Sequence, residues 1–477
     1  MASPAIGYTL VMRLEMPSTS GEFGSVASAI GAAGGIVAAV DMRSVGRSSV
    51  TRDVSVTVGS DAVANAVRKQ IERLDDVRLV SVSDSTFLAH LGGKLTIDPK
   101  VPVKTRTDLS KVYTPGVARV ALAIASDPQK AFGLTIKRNT VAVVSDGSDV
   151  LGLGDVGPYA AAPVMEGKCM LFKQFAGIDA FPICLDTRDT DEIVDTVARI
   201  APIFGGINLE DISAPRCFEI EARLQRRLDI PVMHDDQHGT AVVVLAALLN
   251  AVKVVGKRIE DLRVVVAGSG AAGTATMKML LLAGVSDVVP VDRSGALSRA
   301  EQYDDAHWTW LAEHTNPHDL RGSLAEVLRG ADVFVGFSAP GIVRPETLGT
   351  MARDPIVFAM ANPTPEIMPD AAAPYVAVMA TGRSDFPNQV NNLLAFPGIF
   401  RGALSCRAAH ITDAMKLAAA RAIASIVAPG EVGPEYVVPS VFDTRVVDAV
   451  ARDVAAAAVE EGVSRKTAPA EELVAST

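Results

Sequence analysis

The chain has 477 residues, enough for about three domains, with 49% hydrophobic residues and a formal net charge of −10. An acidic balance with no basic arm excludes a nucleic-acid scaffold, and four cysteines, Cys169, Cys184, Cys217 and Cys406, without CxxC spacing exclude a disulfide framework and a zinc knuckle. The N-terminus lacks the basic flank and apolar core of a secretory signal, and the most apolar helix expected, Ala241 to Val252, falls short of the roughly 18 residues that span a bilayer, so a cytoplasmic protein that engages no membrane is expected.

Residues 6 to 14 read as a strand and Phe23 to Ala33 as a helix, followed by strands Ile36 to Met42 and Thr51 to Val58, the latter alternating Val54, Val56 and Val58. A helix from Asp61 to Leu74 and a strand from Val77 to Ser83 complete a β-α-β-β-α-β order, the ferredoxin-like split βαβ. That order is similar to an ACT domain, a module that commonly binds small effectors. The resemblance implies a regulatory domain over residues 1 to 85, with an effector pocket near the turn Gly21 to Gly24; a dimerising appendage is the other reading. Gly92, Gly93, Pro99 and Pro102 mark a linker over residues 86 to 104.

In the body, Tyr113 stands just before Pro115-Gly116. A tyrosine beside a turn ordinarily packs, yet its phenol is also a proton donor. An apolar strand, Thr140 to Ser145, runs into Asp146-Gly-Ser-Asp-Val-Leu-Gly-Leu-Gly-Asp155, whose glycines let backbone approach something closely. Lys168 sits among Met, Leu and Phe, where desolvation would depress its pKa toward that of a general base if the amine does not snorkel out. Glu210-Asp211 and Asp235-Asp236 are adjacent acids at the ends of apolar runs. Such pairs are poorly placed in apolar surroundings without a cation or donors, and a solvated acidic turn is the alternative. The long apolar segment after Asp236 predicts a helix capped by Thr240.

Taken in order, Tyr113-Thr-Pro-Gly, Gly152-Leu-Gly-Asp, Gly167-Lys168, Glu210-Asp211 and Asp235-Asp236 resemble the malic enzyme family in its short bacterial form, over about residues 90 to 450. The resemblance implies that Glu210, Asp211 and Asp236 hold Mg²⁺ or Mn²⁺, a hard ion suited to carboxylates, which chelates L-malate and polarises the ketone of the oxaloacetate intermediate. It makes Lys168 the base for the hydroxyl proton, Tyr113 the acid that protonates the enolate of pyruvate, and Asp235 a partner of those two rather than a ligand. Asn362, Asn391 and Asn392 match segments that contact cofactor and substrate, Lys168 also being a substrate contact. One departure is that Asp149 stands where larger members carry a carboxylate-clamping arginine, so Ser148, backbone amides and the asparagines are expected to hold the malate carboxylate.

Residues Asp261 to Ala275 read as a strand, the fingerprint Gly268-Ser269-Gly270-Ala271-Ala272-Gly273, and a helix from Thr274 to Leu282. Gly268 makes the turn, Gly270 admits a pyrophosphate and Gly273 permits helix-strand contact. Asp292, ending the next strand, favours the free ribose of NAD, whereas Arg293 could pair with the 2′-phosphate of NADP. Strands Val333 to Phe337 and Ile356 to Met360 end in small residues, as buried parallel strands with ligand at their carboxyl ends should.

The expected fold class is α/β: a Rossmann-type doubly wound dinucleotide domain (240–412, with Thr240 at its start among the cofactor residues) and an α/β substrate and metal domain (105–239, joined by C-terminal helices within 413–477), preceded by the ferredoxin-like α+β domain. The expected reaction is NAD-dependent oxidative decarboxylation of L-malate to pyruvate and CO₂ by a homodimer or higher homo-oligomer. A hydroxyacid or amino-acid dehydrogenase would leave the three spaced carboxylates unexplained, and a silent metabolite sensor would not need Tyr113, Lys168 and the metal ligands.

Overall fold

The computed structural model describes residues 7–18 and 22–466, in two compact units, Met1–Thr96 and Ile97–Thr477. In the first, β1 (Tyr8–Pro17), α1 (Glu22–Ala32), β2 (Ile36–Val45), β3 (Ser49–Val58), α2 (Asp61–Ile71) and β4 (Arg78–Asp84) build an antiparallel sheet in the order β2-β3-β1-β4. Alternation decides which face is covered: Leu10, Met12, Leu14 and Met16 of β1 and Val54, Val56 and Val58 of β3 pack with Val26, Ile30, Val67 and Ile71 of the helices. The other face carries Asp53, buried between Arg13 (2.8 Å) and Arg43 (2.6 Å). The hydrogen bond from Arg13, set against burial, holds the Asp53 carboxyl down to about 2.

The expected linker starts with structure. Asp84 accepts from Thr86 N at 2.7 Å and so caps a short helix, α3 (Ser85–His90), which corrects the linker boundary at 86. Ile6 and Gly21, part of the predicted first strand and effector turn, lie outside the described residues.

The second unit begins with α4 (Arg106–Val112) and α5 (Val117–Ser126), neither of which has a buried residue. It then forms two sheets. One is parallel, ordered β6-β5-β7-β8 from β5 (Thr140–Ser145), β6 (Asp179–Cys184), β7 (Gly206–Leu209) and β8 (Val232–His234), with α6 (Gly157–Ala176), α7 (Thr190–Ile200) and α8 (Arg216–Arg227) between them. Ile193, Val194 and Val197 of α7 and Cys217, Ile220 and Leu224 of α8 pack on Ile207, Leu209 and Val232.

Helix α9 (Asp235–Val255) starts directly after β8, five residues before the predicted cap. Thr240 lies inside it, and His234 occupies the cap position in extended backbone. The two acids stand in the first turn, where the positive end of the helix dipole favours them. The predicted domain boundary at 239/240 therefore falls within one continuous helix. At 21 residues α9 is long and apolar enough to cross a membrane by length and composition, contrary to expectation, but 67% of the relevant window is buried within the protein.

The second sheet has the order β11-β10-β9-β12-β13-β14, from β9 (Arg263–Ala267), β10 (Asp287–Asp292), β11 (Gly295–Ala296), β12 (Val333–Gly336), β13 (Ile356–Ala359) and β14 (Val378–Thr381); α10 (Ala271–Leu282) follows β9. All its strands are parallel except β11. The reversal between β10 and β12 on either side of β9 makes a switch point at the carboxyl end of β9, where doubly wound sheets bind ligands. Helices α11 (Phe396–Cys406), α12 (Asp413–Ile426) and α13 (Arg445–Glu460) return the chain. Phe396 and Phe400 of α11 meet Phe172 of α6 edge-on at 4.7 and 5.5 Å, and Asn250 of α9 donates to the carbonyls of Ala424 and Val437. Residues 467–477 lie outside the described part.

Candidate active site

Neighbouring parallel strands place their carboxyl ends side by side, and here that juxtaposes the two acid pairs. Leu209 of β7 is level with His234 of β8, so Glu210-Asp211 leaves the sheet beside Asp235-Asp236. Oxygens of Glu210, Asp211 and Asp236 lie within 4.8 Å of one another. Asp236 Oδ2 accepts from Asp211 N at 2.8 Å, Glu210 Oε2 accepts from Asn208 Nδ2 at 2.8 Å, and Asp211 Oδ2 is buried with no partner. Burial and mutual repulsion push all three carboxyls above their usual range. Three convergent acids short of counter-charge, with an orphaned oxygen and no His or Cys among them, fit a hard divalent cation.

Lys168 reaches this cluster from α6. Its Nζ lies 2.6 Å from Asp235 Oδ2 and 2.8 Å from Glu210 Oε1, and 4.1 Å above the Phe396 ring. Burial works against its charge, but Asp235 and Glu210 outweigh it and hold the amine above its usual range. This corrects the expectation of an amine depressed by apolar neighbours: the residues adjacent in sequence are apolar, the ones adjacent in space are acids. Burial pushes the Asp235 carboxyl up while Lys168 pulls it back. Asn392 Nδ2 donates to the same Asp235 oxygen at 2.6 Å. Asn391 instead caps a short turn, accepting from Leu393 N at 2.9 Å.

Tyr113 does not join them within this chain. It is 67% exposed at the end of α4, and Leu109 and Val112 of α4 and Val117 and Leu122 of α5 are exposed too. Ser148 is not free to clamp a carboxylate either: its hydroxyl donates to Asp146 and accepts from Ser213 N and Arg216. Asp149 N donates to the Asp211 carbonyl at 3.2 Å, its carboxylate adds to the repulsion on Asp211 and Asp236, and burial raises its own carboxyl. Arg216, which pattern reasoning missed, pairs with the buried Asp146 at 2.9 Å. No spacing rule marks it, because its partner lies 70 residues earlier in the chain, in the loop after β5, while Arg216 itself opens α8.

The dinucleotide fingerprint lines a cleft of about 670 Å³ with Gly268, Ser269, Gly270, Asp292 and Arg293. Gly268 has φ 102°, and a Cβ there would lie 2.5 Å from the Phe337 carbonyl; a Cβ at Gly273 would lie 1.9 Å from the Gly268 carbonyl. Ala271, Ala272 and Gly273 open α10 behind the cleft, presenting the amino end of a helix to it. Thr240 and Asn362 are not in its lining. Asn362 follows β13, and its carbonyl oxygen would be 2.9 Å from a Cβ on Gly152 of the glycine-rich loop. The facing wall, Gly322 to Leu324 and Phe337 to Ala339, was only partly foreseeable: small residues after a buried strand mark the second segment, nothing the first.

Against known proteins, a family model described as Malic enzyme, N-terminal domain matches residues 92–225, and one described as Malic enzyme, NAD binding domain matches residues 237–461. The chain is 60% identical over 467 residues to an NAD-dependent malic enzyme of Geobacillus stearothermophilus, covering 98% of each. It is 54% identical to a bifunctional malic/malolactic enzyme of Bacillus subtilis, over 81% of this chain and 94% of that one. The crystal structure of a malic enzyme from Pyrococcus horikoshii superposes with a TM-score of 0.78 at 49% identity, over 80% of this chain and 91% of that one. With identity of this extent over nearly its whole length, the chain belongs to the malic enzyme family.

Proposed function

We propose that the chain catalyses oxidative decarboxylation of L-malate to pyruvate and CO₂ with reduction of NAD. The observation that carries this is a buried lysine inside a carboxylate cluster fit for a cation, in the same compact unit as a dinucleotide cleft. Glu210, Asp211 and Asp236 would hold Mg²⁺ or Mn²⁺, which when bound withdraws charge from the substrate oxygen and engages Glu210, leaving Lys168 with fewer anions. Lys168, aligned by Asp235 and once its own proton has passed to that carboxylate, would take the C2 hydroxyl proton as hydride leaves, and Asn392 fixes Asp235 in turn. Asn362 would be the remaining substrate-side contact, the Asn391 side chain being taken up by the turn it caps.

Tyr113 supplies the proton to the carbon that CO₂ leaves. Its exposure, with exposed apolar side chains on the two neighbouring helices that bury nothing, favours a second copy of the chain covering this face and bringing the phenol to a site. Mixing Tyr113→Phe with Lys168→Ala protein should then restore activity that neither has alone. The N-terminal unit is regulatory on this reading, supported by its strand order.

A steady-state assay with L-malate, comparing NAD with NADP in the presence and absence of Mn²⁺, tests the proposal. No malate-dependent reduction of either nucleotide refutes it. Preference for NADP would make Arg293, which lines the same cleft as Asp292, the deciding residue.

A further inference from the structure

The loops that follow β12 and β13 are tied together by a carboxylate that the proposed chemistry does not use. Glu366 is 0% exposed, and backbone amides occupy both its oxygens: Ser338 N donates to Oε1 at 2.8 Å and Ala361 N to Oε2 at 3.0 Å. Ser338 belongs to the loop whose Phe337, Ala339 and Ile342 also wall the dinucleotide cleft. Ala361 opens the turn carrying Asn362, which rests on Gly152. The Glu366 carbonyl accepts from Val343 N at 3.1 Å, closing the same cleft loop from its far end.

Room for this arrangement is made in the strand itself. A Cβ on Gly336 would lie 2.4 Å from the carboxyl carbon of Glu366. Burying a carboxylate is unfavourable unless donors compensate it, and two loop amides could have been satisfied separately by shorter side chains or by water. Sharing one rigid anion instead fixes the distance between the loops.

We propose that Glu366 is a positioning residue for the dinucleotide, locking the cleft wall after β12 to the Asn362 turn so that cofactor cleft and glycine-rich loop keep one spacing. The inference rests on the reading of the cleft as the NAD site. In Glu366→Gln the side-chain amide can accept from only one of the two backbone donors, which releases one loop.

The test measures NAD affinity of parent and variant by calorimetry without malate, alongside steady-state kinetics. Loss of one charge-assisted bond predicts an NAD Kd and KM raised on the order of tenfold. Glu366→Asp, which keeps the anion, should recover part of that. A defect in folding alone would instead lower kcat through the active fraction and leave KM unchanged; that result, or an unchanged Kd in folded Glu366→Gln, overturns the proposal. If Glu366→Gln does not fold, Gly336→Ala displaces the carboxylate from the other side and must show the same rise; an unchanged Kd, or failure of both to fold, assigns Glu366 to stability only. A parent that binds NAD without oxidising malate would refute the reaction and leave this inference to the calorimetry.

Discussion

Gly239 lies in the second turn of α9, where a Cβ would sit 1.9 Å from Asp235 Oδ1 and 2.8 Å from its Cγ. Ordinary contact begins near 3.4 Å, so Gly239→Ala drives the carboxylate back by about 1.5 Å. Asp235 has nowhere to go without loss. It is fully buried, and Oδ2 is held at 2.6 Å by both Lys168 and Asn392, so the retreat breaks at least one bond to a charged group. The helix should not suffer, since alanine is favoured over glycine in a helix interior by about 0.5 to 1 kcal/mol. A displacement of this size at a reacting group costs on the order of 10²-fold in rate. Malate-dependent NADH formation at saturating Mn²⁺ should show that fall in kcat, with helical circular dichroism and the KM for NAD nearly unchanged. A folded variant that keeps kcat within about threefold would refute the assignment of Asp235 as the group that aligns Lys168.

Asp236→Asn keeps an oxygen for the Asp211 amide but removes an anion from the cluster, so Mn²⁺ affinity measured by electron paramagnetic resonance should fall by about 10² or more; unchanged affinity would remove Asp236 from the ligand set. Parent protein should favour NAD over NADP by at least about tenfold in kcat/KM, roughly 1.4 kcal/mol, and Asp292→Ser should narrow that gap by relieving repulsion of a 2′-phosphate. In the N-terminal unit, the Asp53 carboxyl is held to about 2 by Arg13 and Arg43, below its unfolded value, so it adds stability that is complete above about pH 4 and lost as pH falls toward 2. Asp53→Asn should therefore lower local stability by about 2 kcal/mol at neutral pH, seen as faster hydrogen exchange of the paired β1 and β3 amides, and the difference should vanish near pH 2.

Elements whose logic is local were legible in the sequence. The alternation of Val54, Val56 and Val58 marked β3, and the fingerprint Gly268 to Gly273 marked a strand-turn-helix, because glycine at those positions answers to clashes within one short segment. The start of α9 was misjudged for a physical reason: Thr240 is a good cap in isolation, but the helix dipole and the neighbouring strand draw the first turn back onto Asp235. Lys168 was misjudged for another. Its desolvation could be inferred from Met, Leu and Phe nearby in sequence, whereas its counter-ions are supplied by residues 42 and 67 positions away that only the sheet brings together. Arg216, Glu366 and the wall at Gly322 are likewise products of tertiary contact.

The continuity of α9 has a mechanical consequence. With 21 residues it is a rod about 31 Å long, its first turn built into the acid cluster and its body packed against the dinucleotide helix α10 and against α12. A rod so clamped transmits rotation rather than absorbing it. If the cleft opens and shuts during turnover, a hinge at 239/240 would have to break this helix, so the pivot is expected outside it. Shutting would then tilt Asp235 and Asp236 along with the cofactor platform, so that closure and assembly of the charged cluster become one movement instead of two.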